Sequence, residues 1–412
     1  MSINLKRHCV RDFQERSGLR VAIAHEWLTT LGGSERVVGA LLEMYPEARV
    51  YTTFLSSRNL PPEMLAWDVE TSFVQKLPFL GKVAQKYIPL FPLAFESFDF
   101  TGYDLVISSS SACAKGVLTG PRTAHICYCH TPLRYAWEPF LDTRFHNGNR
   151  LLKAGNDVLL HYLRMWDRLA ADRVDHFVAN SRNTAAKIGK YYRREAAVIN
   201  PPVDVERFPV LEEQGGYFLV VSRLVPYKKV EIAVEAFNRL GLPLRIVGDG
   251  PERERLERMA APNIEFLGYA TEEELPGLVG RCQALIFPGE EDFGMVPVEA
   301  MAAGRPVIGL GRGGLLESVV DGKTGILFPE PAAGSLIEAV SRFSPGDFKP
   351  KAISRHASGF SRERFQKEMG AFVEARMKEA ARGETASART RRSPGRTAGK
   401  AAPRTGKTQE KK

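Results

Sequence analysis

Residues 289–304 read Gly-Glu-Glu-Asp-Phe-Gly-Met-Val-Pro-Val-Glu-Ala-Met-Ala-Ala-Gly. The apolar run from Ala284 to Phe287 just before them reads as a short buried strand, which Pro288-Gly289 breaks. An acidic loop of Glu290, Glu291 and Asp292 leads through Phe293-Gly294 into a short helix. That helix is expected to begin with Pro297 at its first position, to carry Glu299 in its first turn and to stop at Gly304. A strand, loop and helix in this order aim free backbone N–H groups and the positive helix end at the mouth of the loop, where a phosphate would sit. Glu291 and Glu299 add carboxylates, which repel phosphate but accept hydrogen bonds from sugar hydroxyls. The combination suits a ligand that is part phosphate and part polyol, such as a nucleotide sugar. In the competing reading Glu299 complements the helix dipole and Glu291 is a solvated loop residue.

Upstream, the second half of the chain repeats the alternation. Strands are expected at 217–221, 244–247 and 264–267, with helices between them, and a further strand at 306–310 follows the opening unit. The first of these strands ends at Ser222-Arg223-Leu224, and Lys228-Lys229 is expected to open the next helix. Arg223 and Lys228 thus bracket a strand edge, where two cations would neutralise a diphosphate, Arg through a forked donor set and Lys as a point charge. Solvated charges at a helix start are the alternative. Val247-Gly248-Asp249-Gly250-Pro251 resembles a dinucleotide fingerprint but lacks its third glycine, which argues against a nicotinamide enzyme.

The first half shows the same rhythm. Strands are expected at 19–24, 103–108, 124–129, 174–179 and 197–200. Gly32-Gly33 precedes a helix that Ser34 is expected to cap; a glycine pair there lets backbone approach a ligand closely, and an ordinary tight turn uses one too. His130 stands where a strand gives way to a loop, the ligand edge of a parallel sheet, and competes with a structural histidine at a strand end. Cys127 and Cys129 share one strand face and lack a second pair at zinc spacing, so buried thiols are expected and no metal site is assigned. Residues 73–95 mix Lys76, Lys82 and Lys86 with aromatic and aliphatic residues, which suits a membrane interface or a lipid-linked substrate; core packing with snorkelling lysines is the alternative. Pro201-Pro202 is a stiff connector and the candidate hinge. Taken together, the chain is expected to be α/β, with two Rossmann-like doubly wound parallel sheets facing across a cleft.

Length and composition agree with two ordinary domains. No apolar run reaches the ~20 residues that span a bilayer. Met1 to Arg20 is charged and lacks a secretory h-region, so a cytoplasmic location is expected, with peripheral contact on the inner membrane face. Five scattered cysteines do not form a disulfide framework. The net charge of +9 lies almost wholly in residues 381–412, where ten Lys/Arg stand against two Glu. That segment has almost no large apolar residues and is expected to be disordered, as a solubilising appendage or as a contact for anionic surfaces.

These motifs carry a family resemblance. Glu291 to Glu299 within Glu-Asp-Phe-Gly-Met-Val-Pro-Val-Glu-Ala-Met-Ala-Ala-Gly-Arg-Pro-Val resembles the signature of the family 4 retaining glycosyltransferases of the GT-B fold. So do Ser222-Arg223-Leu224 with Lys228, Gly313-Gly314 with Glu317, and Asp321-Gly322-Lys323-Thr324-Gly325. Tyr128-Cys129-His130-Thr131-Pro132-Leu133-Arg134-Tyr135-Ala136-Trp137 is similar to a bacterial mannosyltransferase-like subgroup that builds surface polysaccharides. The resemblance covers roughly residues 20–370 and leaves the basic tail outside it; five parts are expected: an extension (1–18), an acceptor domain (19–200), a donor domain (201–358), a crossover helix (359–380) and the basic tail (381–412).

It further implies roles. Glu291 would hold hydroxyls of the donor hexose and Glu299 those of the ribose. Arg223 and Lys228 would bind the diphosphate, with backbone N–H groups of Phe293, Gly294, Met295 and Val296 and with Gly32-Gly33 from the other domain. His130 would contact the hexose. The broader family often has Gly where Lys229 stands. GDP-mannose is the favoured donor, a glycan or polyprenyl-linked molecule the acceptor, and no cofactor or metal is implied; the chain has no Asp-x-Asp. The competing classes are an epimerase or phosphorylase of the same fold, and a binding protein using the basic tail on nucleic acid, against which the donor constellation argues.

Overall fold

The computed structural model describes residues 18–78, 84–138, 150–213 and 215–391. The N-terminal extension up to residue 17, Lys82 and residues 392–412 of the basic tail lie outside the described residues.

Two parallel sheets form, one in each half. The first contains β1 (Val21–His25), β2 (Arg49–Thr52), β3 (Val69–Thr71), β4 (Leu105–Ser110), β5 (Ala124–Cys129), β6 (His176–Ala179) and β7 (Ala196–Val198), in the order β3-β2-β1-β4-β5-β6-β7. Between them lie α1 (Gly33–Met44), α2 (Phe91–Glu96), α3 (Arg134–Trp137), α4 (Arg150–Asp172) and α5 (Arg182–Tyr192). The second sheet contains β8 (Phe218–Val221), β9 (Leu244–Val247), β10 (Ile264–Gly268), β11 (Leu285–Phe287), β12 (Val307–Leu310) and β13 (Gly325–Phe328), in the order β10-β9-β8-β11-β12-β13. Its longer helices are α6 (Val230–Leu240), α7 (Arg253–Met259), α8 (Leu275–Arg281), α9 (Met295–Ala302), α10 (Ala333–Ser341) and α11 (Pro350–Ala357), with a single helical turn at Leu315–Ser318. A last helix, α12, runs Arg362–Arg391.

Central strands such as β1, β4, β11 and β12 are buried along their whole length. Helices cover both faces of such a sheet, so its strands need continuous apolar runs rather than alternation. The strand order reverses between β1 and β4 and again between β8 and β11. At each reversal neighbouring loops diverge, and a crevice opens at the carboxyl ends of the strands. The doubly wound architecture expected from the alternation is the one observed.

Several boundaries differ. β2, β3 and β13 were not expected: each is only three or four residues long, and β3 and β13 are edge strands. α1 begins at Gly33, with Gly32 as its N-cap, so Ser34 lies inside the helix and does not cap it. α9 begins at Met295, two residues before Pro297, and Glu299 is its fifth residue. α6 begins at Val230; Lys228 ends a 3-10 turn and Lys229 has φ 55°. The mixed stretch at 73–95 contributes Val74, Ile88, Phe91, Ala94 and Phe95 to the core, leaving Phe73 and Leu93 exposed. Core packing is therefore the main business of the apolar side chains described in this stretch. The four described cysteines are buried free thiols.

By compactness the chain divides into Met1–Ala371, which holds both sheets, and the remainder from Phe372. Within the first unit the start of α12 returns to the first half. Phe365 packs edge-on against Tyr128, with ring centroids 5.6 Å apart, and Arg364 Nη2 donates to the Asn200 carbonyl at 2.9 Å. Arg362 pairs with Asp204 at 2.8 Å and with Glu43.

A charged pair is wholly enclosed in the first half. Lys115 and Asp167 form an ion pair with side-chain exposures of 1% and 0%. Trp137 Nε1 and Tyr192 OH each donate to Asp167 Oδ2 at 2.7 Å, and Lys115 Nζ also donates to the Ala112 carbonyl at 2.7 Å. Burial alone would lower the Lys115 pKa, but Asp167 outweighs it and the pKa is raised. This network joins α3, α4 and α5 to the loop after β4. Removing one partner of such a pair leaves a buried, uncompensated charge. Asp167→Ala is expected to cost about 3–5 kcal/mol in urea unfolding, and Lys115→Met with Asp167→Leu should restore most of it; a loss below about 1 kcal/mol in the single variant would contradict this reading.

Candidate active site

The residues singled out in the sequence lie at the carboxyl ends of the strands, most of them in the loops at the two reversals. In the second half, the chain after β8 turns through Pro226–Lys228, and Lys229 takes up the left-handed backbone region. A side chain is disfavoured there, which accounts physically for the glycine often found at this place in the resembling family. Gly289, just after β11, lies directly against the Lys228 backbone: a Cβ on it would sit 2.7 Å from the Lys228 carbonyl oxygen. This close approach brings the Lys228 ammonium onto Glu291 Oε1. Arg223 is exposed and donates to Tyr227 OH at 2.9 Å. The Tyr227 ring also lies 5.0 Å from the Arg134 guanidinium and 5.4 Å from Lys228 Nζ. Three cations thus gather around one aromatic ring beside the acidic loop.

Gly294 (φ 85°) turns the chain from that loop into α9, whose first residues are Met295 and Val296. Their N–H groups belong to the first helical turn, which has no partner within the helix. Phe293 is buried in the core, so at this edge it offers backbone only. Gly314 supports the loop from behind. Its N–H donates to the Glu291 carbonyl at 2.8 Å, and a Cβ there would collide with the Asp292 carbonyl and the Phe293 backbone. Glu299 is 7% exposed; its carbonyl accepts from the Ala303 N–H at 3.1 Å, and no hydrogen bond from a described residue reaches its carboxylate. Burial raises its pKa, against the pull of Arg36 and Arg207.

The first half faces these groups. Gly33 lies so near Met295 that a Cβ on it would sit 2.9 Å from the Met295 sulfur. Gly32 N–H donates to Glu35 Oε2 at 3.0 Å. His130 follows β5 and is fixed at both ends. Its N–H donates to the Ser110 carbonyl at 2.8 Å, while its own carbonyl accepts from Asn180 Nδ2 at 2.9 Å and Thr184 Oγ1 at 3.3 Å. In the ring, Nε2 meets Ser109 Oγ at 2.8 Å. Desolvation, reinforced by the nearby His25, pushes the His130 pKa down to about 3, so the imidazole is neutral.

Other residues at this site were not singled out in the sequence. Asp292 pairs with Arg134, and with Lys187 Nζ at 3.0 Å, and accepts from Asn183 Nδ2 at 3.3 Å; all three partners belong to the first half. Burial would raise the Asp292 pKa, but Arg134 and Lys187 outweigh it and hold the carboxyl below its usual range. Glu317 accepts from the N–H groups of Arg182 (2.7 Å) and Asn183 (3.3 Å) at the start of α5. Arg36 on α1 reaches Asp204 at 3.0 Å and Glu272 at 2.8 Å. The sequence placed Arg134, Asp292 and Glu317 inside quoted motifs but gave no sign that they bridge the halves.

Comparison with known proteins agrees with this geometry. Residues 31–207 match the family described as Glycosyltransferase Family 4, and residues 204–358 match Glycosyl transferases group 1. An uncharacterised glycosyltransferase of Methanocaldococcus jannaschii is 28% identical over 207 residues, covering 48% of this chain and 58% of that protein. The alpha-1,3/1,6-mannosyltransferase alg2 of Schizosaccharomyces pombe is 24% identical over 390 residues, covering 78% of this chain and 73% of its own length. The chain therefore spans between about half and three-quarters of these relatives. Among solved structures, HepE of Anabaena in complex with UDP and glucose has a similar fold, with a TM-score of 0.64 at 17% identity, covering 86% of this chain and 99% of that one. The two family matches meet at the connector between the sheets and together run from residue 31 to residue 358, and the chain belongs to the family 4, group 1 glycosyltransferases of two-domain GT-B fold.

Proposed function

We propose that this glycosyltransferase moves a hexose from a nucleotide sugar to a glycan or polyprenyl-linked acceptor in surface polysaccharide synthesis, with retention and without a metal. Mannose is the favoured sugar and GDP-mannose the favoured donor; similarity to an alpha-1,3/1,6-mannosyltransferase supports that choice. The observation that carries the reading is the meeting of unlike groups in one crevice. Lys228 and Glu291 touch at the second reversal of strand order, with the α9 N-terminus beside them and Gly33 of the first half pressed against Met295.

In this reading Arg223, Lys228 and the N–H groups from Phe293 to Val296 hold the diphosphate, and Gly32-Gly33 lets the opposite backbone come close. Glu299 accepts ribose hydroxyls, Glu291 hexose hydroxyls, and His130 contacts the hexose. As the bond from the anomeric carbon to the phosphate oxygen breaks, its electron pair goes to the diphosphate, and preplaced cations and N–H groups stabilise the growing charge. The acceptor oxygen bonds to the anomeric carbon on the same face and passes its proton to the departing diphosphate oxygen. Glu291, paired with Lys228, positions the sugar and is not assigned as a nucleophile.

Peripheral contact with a lipid surface forms part of this proposal, and α4 supports it better than residues 73–95. Val158, Tyr162, Met165 and Leu169 recur at three- and four-residue spacing on α4 and are all exposed. His161 and the half-buried Arg168 flank this stripe, and Arg168 pairs with Asp172 at 2.6 Å. An exposed apolar stripe of this length suits the plane of a bilayer interface.

Two measurements check the reading. Glu291→Ala and Arg223→Ala should each lower kcat with a nucleotide sugar by about 10²–10³-fold while leaving the circular dichroism spectrum unchanged; full turnover in both would remove the donor-site assignment. Donor supplied without acceptor should at most hydrolyse slowly, whereas its conversion to an epimer would favour the competing enzyme class. In vesicle sedimentation, Val158→Ser with Leu169→Ser should reduce binding to anionic liposomes at least about tenfold, from ~0.8 kcal/mol per buried CH₂; equal binding by this variant and the parent would exclude α4 as the contact.

A further inference from the structure

Behind His130 runs a line of polar side chains that the donor-site assignment does not use. Glu35, in the first turn of α1, places Oε1 3.4 Å from His25 Nε2. His25, the last residue of β1, places Nδ1 3.2 Å from Ser109 Oγ, and Ser109 on β4 meets His130 Nε2 at 2.8 Å. Glu35, His25 and Ser109 are all buried. The line crosses the first reversal of strand order, where β1 and β4 run side by side with His25 opposite Ser109.

We propose that Glu35, His25 and Ser109 are positioning residues that set the tautomer of His130. The direction of each hydrogen bond follows from its neighbour. Glu35 Oε2 already accepts from Gly32 N–H and from Ser34 Oγ, each at 3.0 Å. His25 outweighs burial and holds this carboxyl below its usual range, so Glu35 is an anion that can only accept. His25 Nε2 must then carry the proton, and in the proposed relay Nδ1 is the lone pair that faces Ser109. Ser109 donates to that lone pair and accepts from His130 Nε2–H. The ring nitrogen left over, His130 Nδ1, is a bare acceptor, and no described residue hydrogen-bonds it. It is therefore suited to take a hydrogen bond from a sugar hydroxyl and unsuited to donate to a phosphate. Through Gly32 the same Glu35 carboxylate also fixes the glycine pair at the α1 N-terminus, so one group orients both parts that the first half presents to the donor.

This inference rests on the proposed role of His130 only for its catalytic consequence; the tautomer itself is read without substrate. In ¹⁵N-histidine-labelled protein free of ligand, with the His130 signals assigned by loss in His130→Gln, long-range ¹H–¹⁵N correlations should show Nε2 protonated and Nδ1 unprotonated. Ser109→Ala and Glu35→Gln should each shift these signals toward a tautomer average and lower kcat about ten- to a hundredfold. Ser109→Thr, which keeps the hydroxyl, should retain both the spectrum and the turnover. Protonated Nδ1 in the parent protein would mean that His25 is an imidazolium donating the other way and would overturn the proposal, as would a His130 spectrum unchanged in folded Ser109→Ala. A correct tautomer in a protein inactive with every nucleotide sugar would support the relay and sink the functional reading instead.

Discussion

A carboxylate taken out of water must be paired, and Asp292 finds its partners across the cleft. It projects from the acidic loop of the second half and is met by Arg134, Lys187 and Asn183 of the first. Its neighbour Glu291 turns the other way, onto Lys228 of its own half. Two adjacent side chains of one loop therefore do opposite jobs, one tying the halves together and one sitting at the strand reversal. An unpaired buried charge costs several kcal/mol, so the position of this loop is coupled to the relative position of the halves. Glu317, accepting from N–H groups at the start of α5, and Arg36 against Asp204 and Glu272 add further ties of the same kind.

The doubly wound topology explains why these groups converge. Each sheet reverses its strand order once, and the loops flanking a reversal diverge and leave room at the strand ends. In the second half the loops after β8 and β11 occupy this place and bring Lys228 to Glu291. In the first half the ends of β1 and β4 bring His25 to Ser109 and, through it, to His130. Glycines permit the tight approaches: Gly289 against Lys228, Gly33 against Met295, Gly314 behind the acidic loop. The buried network of Lys115 and Asp167 holds the helices beneath the first of these edges.

Much of this was legible in the sequence because buried parallel strands are written as continuous apolar runs. β9 and β5 fall where those runs lie. Short edge strands leave little trace, so β3, with its exposed Glu70, and β13, entered from the turn at 321–324, escaped notice. Helix starts were misplaced where backbone conformation, not residue type, decides them. Gly294 at positive φ lets α9 begin two residues before Pro297, and Lys229 in the left-handed region delays α6. At the site, residue identities were readable and partnerships were not. Glu35 and His25 are ten positions apart and Ser109 is 84 further from His25, so their line exists only once β1 and β4 pair. Likewise Arg134 and Asp292 are separated by 158 positions, and no local pattern announces a bridge of that span.

The central claim is that this crevice grips a nucleoside diphosphate group through Lys228 and its surroundings. Calorimetric titration of GDP and UDP into the parent protein and into Lys228→Ala tests it most directly. The account predicts saturable binding of at least one nucleotide by the parent and a loss of at least about tenfold in affinity, or ~1.4 kcal/mol, in the variant. Binding of neither nucleotide to the parent, or equal binding to both proteins, would contradict it.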